Sequence, residues 1–86
     1  MRYRVEFARP AARQFEGLPK QVQVRLKPRI ESLKDNPRPH GAKKLTGEEE
    51  LYRLRVGDYR VIYQIQDKVL LVLVVKVGNR KEVYRK

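Results

Sequence analysis

Three arginines alternate with apolar residues in the stretch YRLRVGDYRVIYQI, residues 52–65. Successive side chains of a strand point to opposite sides of a sheet, so Arg53 and Arg55 share one side of the first predicted strand. A tight turn at the Gly-Asp pair brings Arg60 of the second strand next to Arg55. Guanidinium groups stay charged and present a planar fork of donors that matches phosphate oxygens. The spacing therefore favours an anion site, with phosphate as its guest.

The same arginines also have a simpler interpretation. Strand arginines commonly just solvate the exposed side of a sheet. Like charges on neighbouring strands repel, however, and three clustered guanidinium groups are better explained by a bound anion. From these residues alone, both interpretations stay open.

The charge of the whole chain agrees with an anionic partner. Its 86 residues contain 21 Lys and Arg against 10 Asp and Glu, which gives a formal net charge of +11. Such an excess favours polyanions, with nucleic acid first and a membrane surface second.

Composition also excludes several classes of protein. The chain contains no cysteine, so neither a disulfide framework nor a thiolate metal site supports the fold. No stretch approaches the roughly 20 apolar residues that span a bilayer, and the first residues lack the apolar segment of a secretion signal. We predict a single domain over residues 1–86, in the cytoplasm and without a membrane partner.

Hydrophobic periodicity predicts the elements that carry the arginines. A strand is predicted in YRVEFA, a short helix in RPAARQFEGL, and an amphipathic helix over residues 20–34 that Pro28 kinks or delays. Residues 35–50 are predicted to form a loop. The arginine-bearing hairpin follows, and the apolar run VLLVLVVKV, residues 69–77, predicts a central strand covered on both sides.

The predicted order of elements is βααβββ. It indicates an α+β fold in which one antiparallel sheet carries two N-terminal helices on one side. Tyr52, Leu54 and Val56 are expected to face the helices, which leaves the arginine side of the sheet accessible.

Four short motifs, in their order and spacing, resemble the RelE branch of the RelE/ParE toxin family. They are YRLR, GDYRVIY, VGNR and EVYR, preceded by KKLTG and by the strand-helix-helix start. Each motif is weak alone, and the resemblance as a whole covers essentially the whole chain. The resemblance implies a toxin of a toxin–antitoxin pair that cleaves mRNA in the ribosomal A site, without metal or other cofactor. It also implies the ribosome, mRNA and a cognate antitoxin as partners.

The resemblance implies a catalytic set of three residues. Arg60 matches the arginine that stabilises the transition state, Arg80 matches the arginine after the Val-Gly pair, and Tyr84 matches the tyrosine of the C-terminal motif. Some relatives have a histidine before the terminal arginine. This chain has Asn79 there, so no imidazole serves as acid or base at that position.

Basic residues in and before the hairpin are assigned to phosphate binding. Arg53 and Arg55 match basic positions of the family, and Lys43 and Lys44 are predicted to bind RNA with them. The antitoxin is predicted to be an acidic segment that folds into a helix as it binds this cationic surface.

Elementary chemistry limits the mechanism independently of the family. RNA cleavage by its own 2′-hydroxyl needs a base, charge stabilisation at phosphorus and an acid for the leaving 5′-oxygen. The single histidine, His40, lies in a polar loop. Tyr84 beside cations is a weak base whose alternative role is stacking on an RNA base, and both roles stay open. Such weak machinery suits an RNA that the ribosome holds in position.

Two other functions are open at this point. A ParE-like toxin shares the fold but inhibits DNA gyrase by binding, so it does not need Arg60, Arg80 and Tyr84 together. A small RNA-binding module explains the charge but not the C-terminal motif GNRKEVYR.

Overall fold

Two helices lie on one side of a five-stranded sheet in the computed structural model, which describes residues 2–45, 47 and 50–79. The helices are α1 (Arg9–Glu16) and α2 (Lys20–Glu31). The strands are β1 (Arg4–Phe7), β2 (Ala42–Lys44), β3 (Leu51–Val56), β4 (Tyr59–Gln66) and β5 (Leu71–Asn79).

Both predicted helices are present. Pro10 lies in the first turn of α1, where its missing amide proton is not needed, and the N–H of Gly17 donates to the Arg13 carbonyl at 3.0 Å where the helix ends. α2 runs through Pro28 and then tightens into a 3₁₀ turn, Ser32–Lys34. No helix in the described part of the chain is long and apolar enough to cross a membrane.

The sheet has the order β1-β5-β4-β3-β2 and is mixed. β1 pairs with β5 in parallel, and the other neighbouring strands pair antiparallel. The α+β class with both helices on one side is confirmed, whereas the prediction of a wholly antiparallel sheet is wrong. The reason is topological. β1 lies beside the last strand, β5, and the two helices that follow β1 carry the chain across the sheet before the antiparallel strands begin.

β2 lies inside the segment that was predicted to be a loop. Its three residues pair with β3, with Lys43 opposite Arg53 and Ala42 opposite Leu54. A strand of three residues is too short to produce a recognisable alternation, so its pairing with β3 could not be anticipated.

The core fills the space between the helices and the inner side of the sheet, by which we mean the side that faces the helices. Tyr52, Leu54 and Val56 are buried there, as predicted. β5 buries Val72 and Val74 on the inner side, but Leu71, Leu73 and Lys76, which face the opposite, outer side, are only partly covered. The prediction that this strand is covered on both sides is therefore correct for one side only.

Candidate nucleic-acid interface

Five cations from four strands lie on the outer side of the sheet. We call them the cationic face: Lys43, Arg53, Arg55, Arg60 and Lys76. The register places Lys43 opposite Arg53, with Ile62 between Arg53 and Lys76, so one row of side chains crosses the sheet. β2, β3, β4 and β5 contain no Asp or Glu, so no carboxylate of these strands offsets the charge. The surface attracts a polyanion.

A second row brings together the two arginines that the hairpin was predicted to juxtapose. Arg55 lies directly opposite Arg60, and Arg60 lies opposite Gly78 of β5. Arg55 is exposed, whereas Arg60 is only 4% exposed. The pairing is confirmed, but the expectation that all three arginines lie on an accessible surface is wrong for Arg60.

Arg60 is held by backbone carbonyls. Its Nη1 donates to the carbonyl of Tyr59 at 3.2 Å and, over a longer 3.4 Å, to that of Gly57. Its Nε is buried and has no hydrogen-bond partner among the described residues. An unsatisfied buried donor commonly costs about 1–3 kcal/mol, so a feature other than stability explains its presence.

The β3–β4 turn brings in a cation that the sequence did not indicate. Gly57 adopts a φ of +61°, and a Cβ added there would lie 2.9 Å from Nη2 of Arg25. The guanidinium of Arg25, on α2, therefore reaches the turn whose carbonyl contacts Arg60. No local pattern predicts this contact, because it depends on how α2 packs against the hairpin.

The remaining predicted site residues are placed differently. Lys44 lies opposite Tyr52, and its Nζ forms an ion pair with Oε2 of Glu50 at 3.2 Å. It alternates with Lys43 along β2 and is therefore not part of the cationic face. The predicted catalytic residues Arg80 and Tyr84 lie outside the described residues.

A second polar cluster, centred on Arg38, ties the segment before β2 to the sheet. The Nη2 of Arg38 donates to Oδ2 of Asp67 at 2.8 Å, and its Nε donates to the hydroxyl of Tyr52 at 3.0 Å. The Tyr3 hydroxyl donates to Oδ1 of Asp67. Hydrogen bonds from Arg38 and then from Tyr3 hold the pKa of Asp67 below its usual range. No local sequence pattern indicates these contacts, since the partners of Asp67 lie far away along the chain.

Tyr63 links this cluster to the core, and its ionisation makes the stability of the fold decrease at alkaline pH. Its buried hydroxyl donates to the Pro37 carbonyl at 2.8 Å, and burial raises its pKa to about 12. An unfolded tyrosine ionises near pH 10, so the stabilisation is complete below that pH and is lost as pH rises towards 12.

We expect the free energy of unfolding to fall by about 2 kcal/mol between pH 10 and pH 12, measured by urea denaturation. Tyr63→Phe, which has no phenol to ionise, should lack this component. An equal fall in both proteins would contradict the assignment.

An apolar groove of about 530 Å³ lies on the helix side of the sheet. Its walls include Phe7, Phe15 and the exposed Val24 of α2. The cationic face and the exposed apolar surface of α2 therefore lie on opposite sides of the sheet and do not form one continuous groove. Within the described ranges, no three His, Asp or Glu side chains are grouped so that they could hold a metal ion.

Comparisons with known proteins extend over nearly the whole chain. The family model described as the ParE toxin of the type II toxin–antitoxin system, parDE, matches residues 5–84. The chain is 34% identical over 88 residues to the mRNA interferase toxin RelE of Escherichia coli, covering 98% of this chain and 92% of the relative.

Two solved structures are also similar. A mutant of E. coli toxin RelE in the free state superposes with a TM-score of 0.82 at 30% identity, covering 98% of this chain and 92% of that one. The archaeal RelE–RelB complex from Pyrococcus horikoshii gives a TM-score of 0.77 at 32% identity, covering 93% and 97%. Both matches cover more than nine tenths of this chain.

Proposed function

We propose that this chain, which belongs to the RelE/ParE family of toxins of type II toxin–antitoxin systems, is a cytoplasmic endoribonuclease that cleaves mRNA in the ribosomal A site. The observation that carries the proposal is the pair formed by exposed Arg55 and buried Arg60 at one register position. One guanidinium is accessible to bind a phosphate, and the other is fixed beside it. The name of the E. coli relative, mRNA interferase, supports the same activity.

In the proposed reaction the 2′-oxygen of the RNA attacks the neighbouring phosphorus and the bond to the 5′-oxygen breaks. The products are a 2′,3′-cyclic phosphate and a 5′-hydroxyl. The 2′-hydroxyl proton passes to a base and a proton is given to the leaving oxygen. Tyr84 and Arg80 are proposed to act in these transfers and in charge stabilisation.

Arg60 is proposed to stabilise the charge that develops on the phosphoryl oxygens. Backbone carbonyls hold its guanidinium in place before the substrate arrives, so little reorganisation accompanies the reaction. Lys43, Arg53 and Arg55 are proposed to bind the flanking phosphates. The proposal gives no role to a metal ion, because guanidinium groups supply the positive charge.

The partner that neutralises the toxin is proposed to be a cognate acidic antitoxin. The P. horikoshii relative was solved as a RelE–RelB complex, and a net charge of +11 favours an acidic chain. Because the cationic face and the apolar surface of α2 lie on opposite sides of the sheet, an antitoxin that covers both has to pass around a sheet edge. A segment that folds on binding is suited to this.

The ribosome is proposed to supply the positioning that the protein lacks. We expect the purified protein to cut an mRNA efficiently on ribosomes with a vacant A site and to leave the same transcript uncut in their absence. Primer extension maps the cuts, and reactions with and without EDTA should be alike. Ribosome binding should weaken steeply with salt, because phosphate contacts dominate it.

Equal cutting in both tubes would contradict ribosome dependence. Absence of cutting in either would favour the second candidate, a ParE-like toxin that binds DNA gyrase. This second candidate is supported by the matching family model, which is described as the ParE toxin. A DNA supercoiling assay with purified gyrase then decides between them.

A further inference from the structure

A cavity of about 570 Å³ opens at the end of the sheet, beside the cationic face. Its walls come from α1, the α1–α2 connection and the adjoining ends of β4 and β5. Two cations, Arg13 and Lys76, line it, and none of the described residues in its walls is acidic. The cavity is within the size range of small-ligand sites, and the charge of its lining favours an anion.

Gln14 fixes the helix that carries Arg13 against β5. β1 covers β5 only as far as Val74, and no strand among the described residues pairs with that edge further along. There the side-chain carbonyl of Gln14 accepts a hydrogen bond from the N–H of Val77 at 2.9 Å. Because this bond holds α1 on the open edge, the neighbouring Arg13 stays beside the end of β5.

Two residues, Tyr59 and Lys76, connect the cavity to the proposed site of cleavage. Tyr59, which lines the cavity, precedes Arg60, and its carbonyl accepts the Arg60 Nη1 hydrogen bond at 3.2 Å. Lys76 belongs to both the cavity and the cationic face. Lys76 is therefore the cation through which an RNA strand bound on the cationic face could reach around to the cavity.

From this arrangement we propose that the cavity holds one nucleotide of the RNA strand next to the cleaved phosphate. Arg13 and Lys76 bind its phosphate oxygens, and the half-buried ring of Tyr59 stacks on its base. Single-stranded RNA is generally held by this combination of cations along the backbone and an aromatic ring under a base. The inference rests on the proposed function and extends it to a nucleotide subsite on α1, a helix with no part in the predicted site.

The test uses a short single-stranded RNA made uncleavable by 2′-O-methyl groups, with binding followed by fluorescence anisotropy over a range of salt concentrations. Arg13→Gln and Lys76→Gln should each lower the affinity about fivefold or more at low salt. Each should also reduce the slope of log K against log salt by about 0.7, the value for one lost phosphate contact. Tyr59→Leu should weaken binding about tenfold and leave the slope unchanged.

Arg29→Gln is the matched control, because it removes the same charge from an exposed position on α2 that lines neither cavity. It should retain the slope of the unaltered protein. On ribosomes, Arg13→Gln should raise KM and leave kcat nearly unchanged. Thermal midpoints close to that of the unaltered protein exclude a loss of fold.

The outcomes separate this inference from the proposed function. If Arg13→Gln and Tyr59→Leu fold and behave like Arg29→Gln, the nucleotide subsite is wrong, whatever the ribosome assay gives. Absence of RNA binding by the unaltered protein at low salt also overturns it. Reduced RNA affinity in the variants, together with no cleavage on ribosomes, refutes the proposed reaction and supports the subsite.

Discussion

Replacing Arg60 by methionine is expected to lower the rate of mRNA cleavage on ribosomes about 10²–10³-fold, the usual effect of losing one preorganised charge contact. Methionine has a long unbranched side chain, so it fills most of the space that the buried guanidinium occupies. The change therefore removes the charge and its donors while retaining much of the packing. Single-turnover cleavage of a programmed ribosome measures the rate.

The same variant should be as stable as the unaltered protein or more stable by about 1 kcal/mol, because a buried cation is exchanged for a hydrophobic residue. The unsatisfied Nε of Arg60 disappears, and the exposed Gly57 carbonyl can accept from water instead. Urea denaturation measures this difference.

Arg55→Met is the matched control for Arg60→Met. It removes a guanidinium that lies directly opposite but is exposed, so its contribution is to binding and the change should raise KM more than it lowers kcat. A folded Arg60→Met protein that cleaves at an undiminished rate would remove Arg60 from the site. A large loss of stability would instead show that Arg60 is structural.

The burial of Arg60 could not be predicted from the sequence, although its pairing could. Alternation along the hairpin correctly predicted that Arg55 and Arg60 meet, because strand period and turn length determine the register. Exposure depends on what covers the strand, and periodicity contains no information about it. Arg25 and Arg13 were missed for the same reason, since only the packing of α1 and α2 brings them near β4 and β5.

The fold shows the same division between local and non-local information. The helices, β3 and β4 have clear periodicity and β5 has a long apolar run, and each appears at or close to the residues predicted for it. The parallel pairing of β1 with β5 joins the first strand to the last, and β2 is too short to show alternation. Such pairings depend on which strands meet in the folded chain, and no local sequence pattern contains that information.

The Arg38 cluster connects these non-local features to function. It fixes the segment that leads into β2, and β2 places Lys43 opposite Arg53 on the cationic face. A contact at the end of the sheet therefore contributes to the position of a predicted RNA-binding cation. Tyr63 lies under this cluster and supports it from the core.

Replacing Tyr63 by alanine is accordingly expected to cost about 3–5 kcal/mol, the range for removing a large buried aromatic side chain. Tyr63 is fully buried, its ring lies 5.9 Å from that of Tyr52, and its hydroxyl holds the Pro37 carbonyl. A domain of this length has a total stability of about 4–13 kcal/mol, so the variant loses a large share of it and should be largely unfolded if the total lies near the lower limit. Far-UV circular dichroism with urea denaturation measures the loss.

Tyr63→Phe separates the packing of the ring from the hydrogen bond of its hydroxyl. It retains the ring but leaves the buried Pro37 carbonyl without its donor, so it should cost about 1–3 kcal/mol. Since a partner that binds only the folded toxin raises its apparent stability, Tyr63→Ala should regain stability in complex with its antitoxin. If Tyr63→Ala and Tyr63→Phe lost the same free energy, the ring would contribute nothing to the core and the hydrogen bond alone would account for the effect.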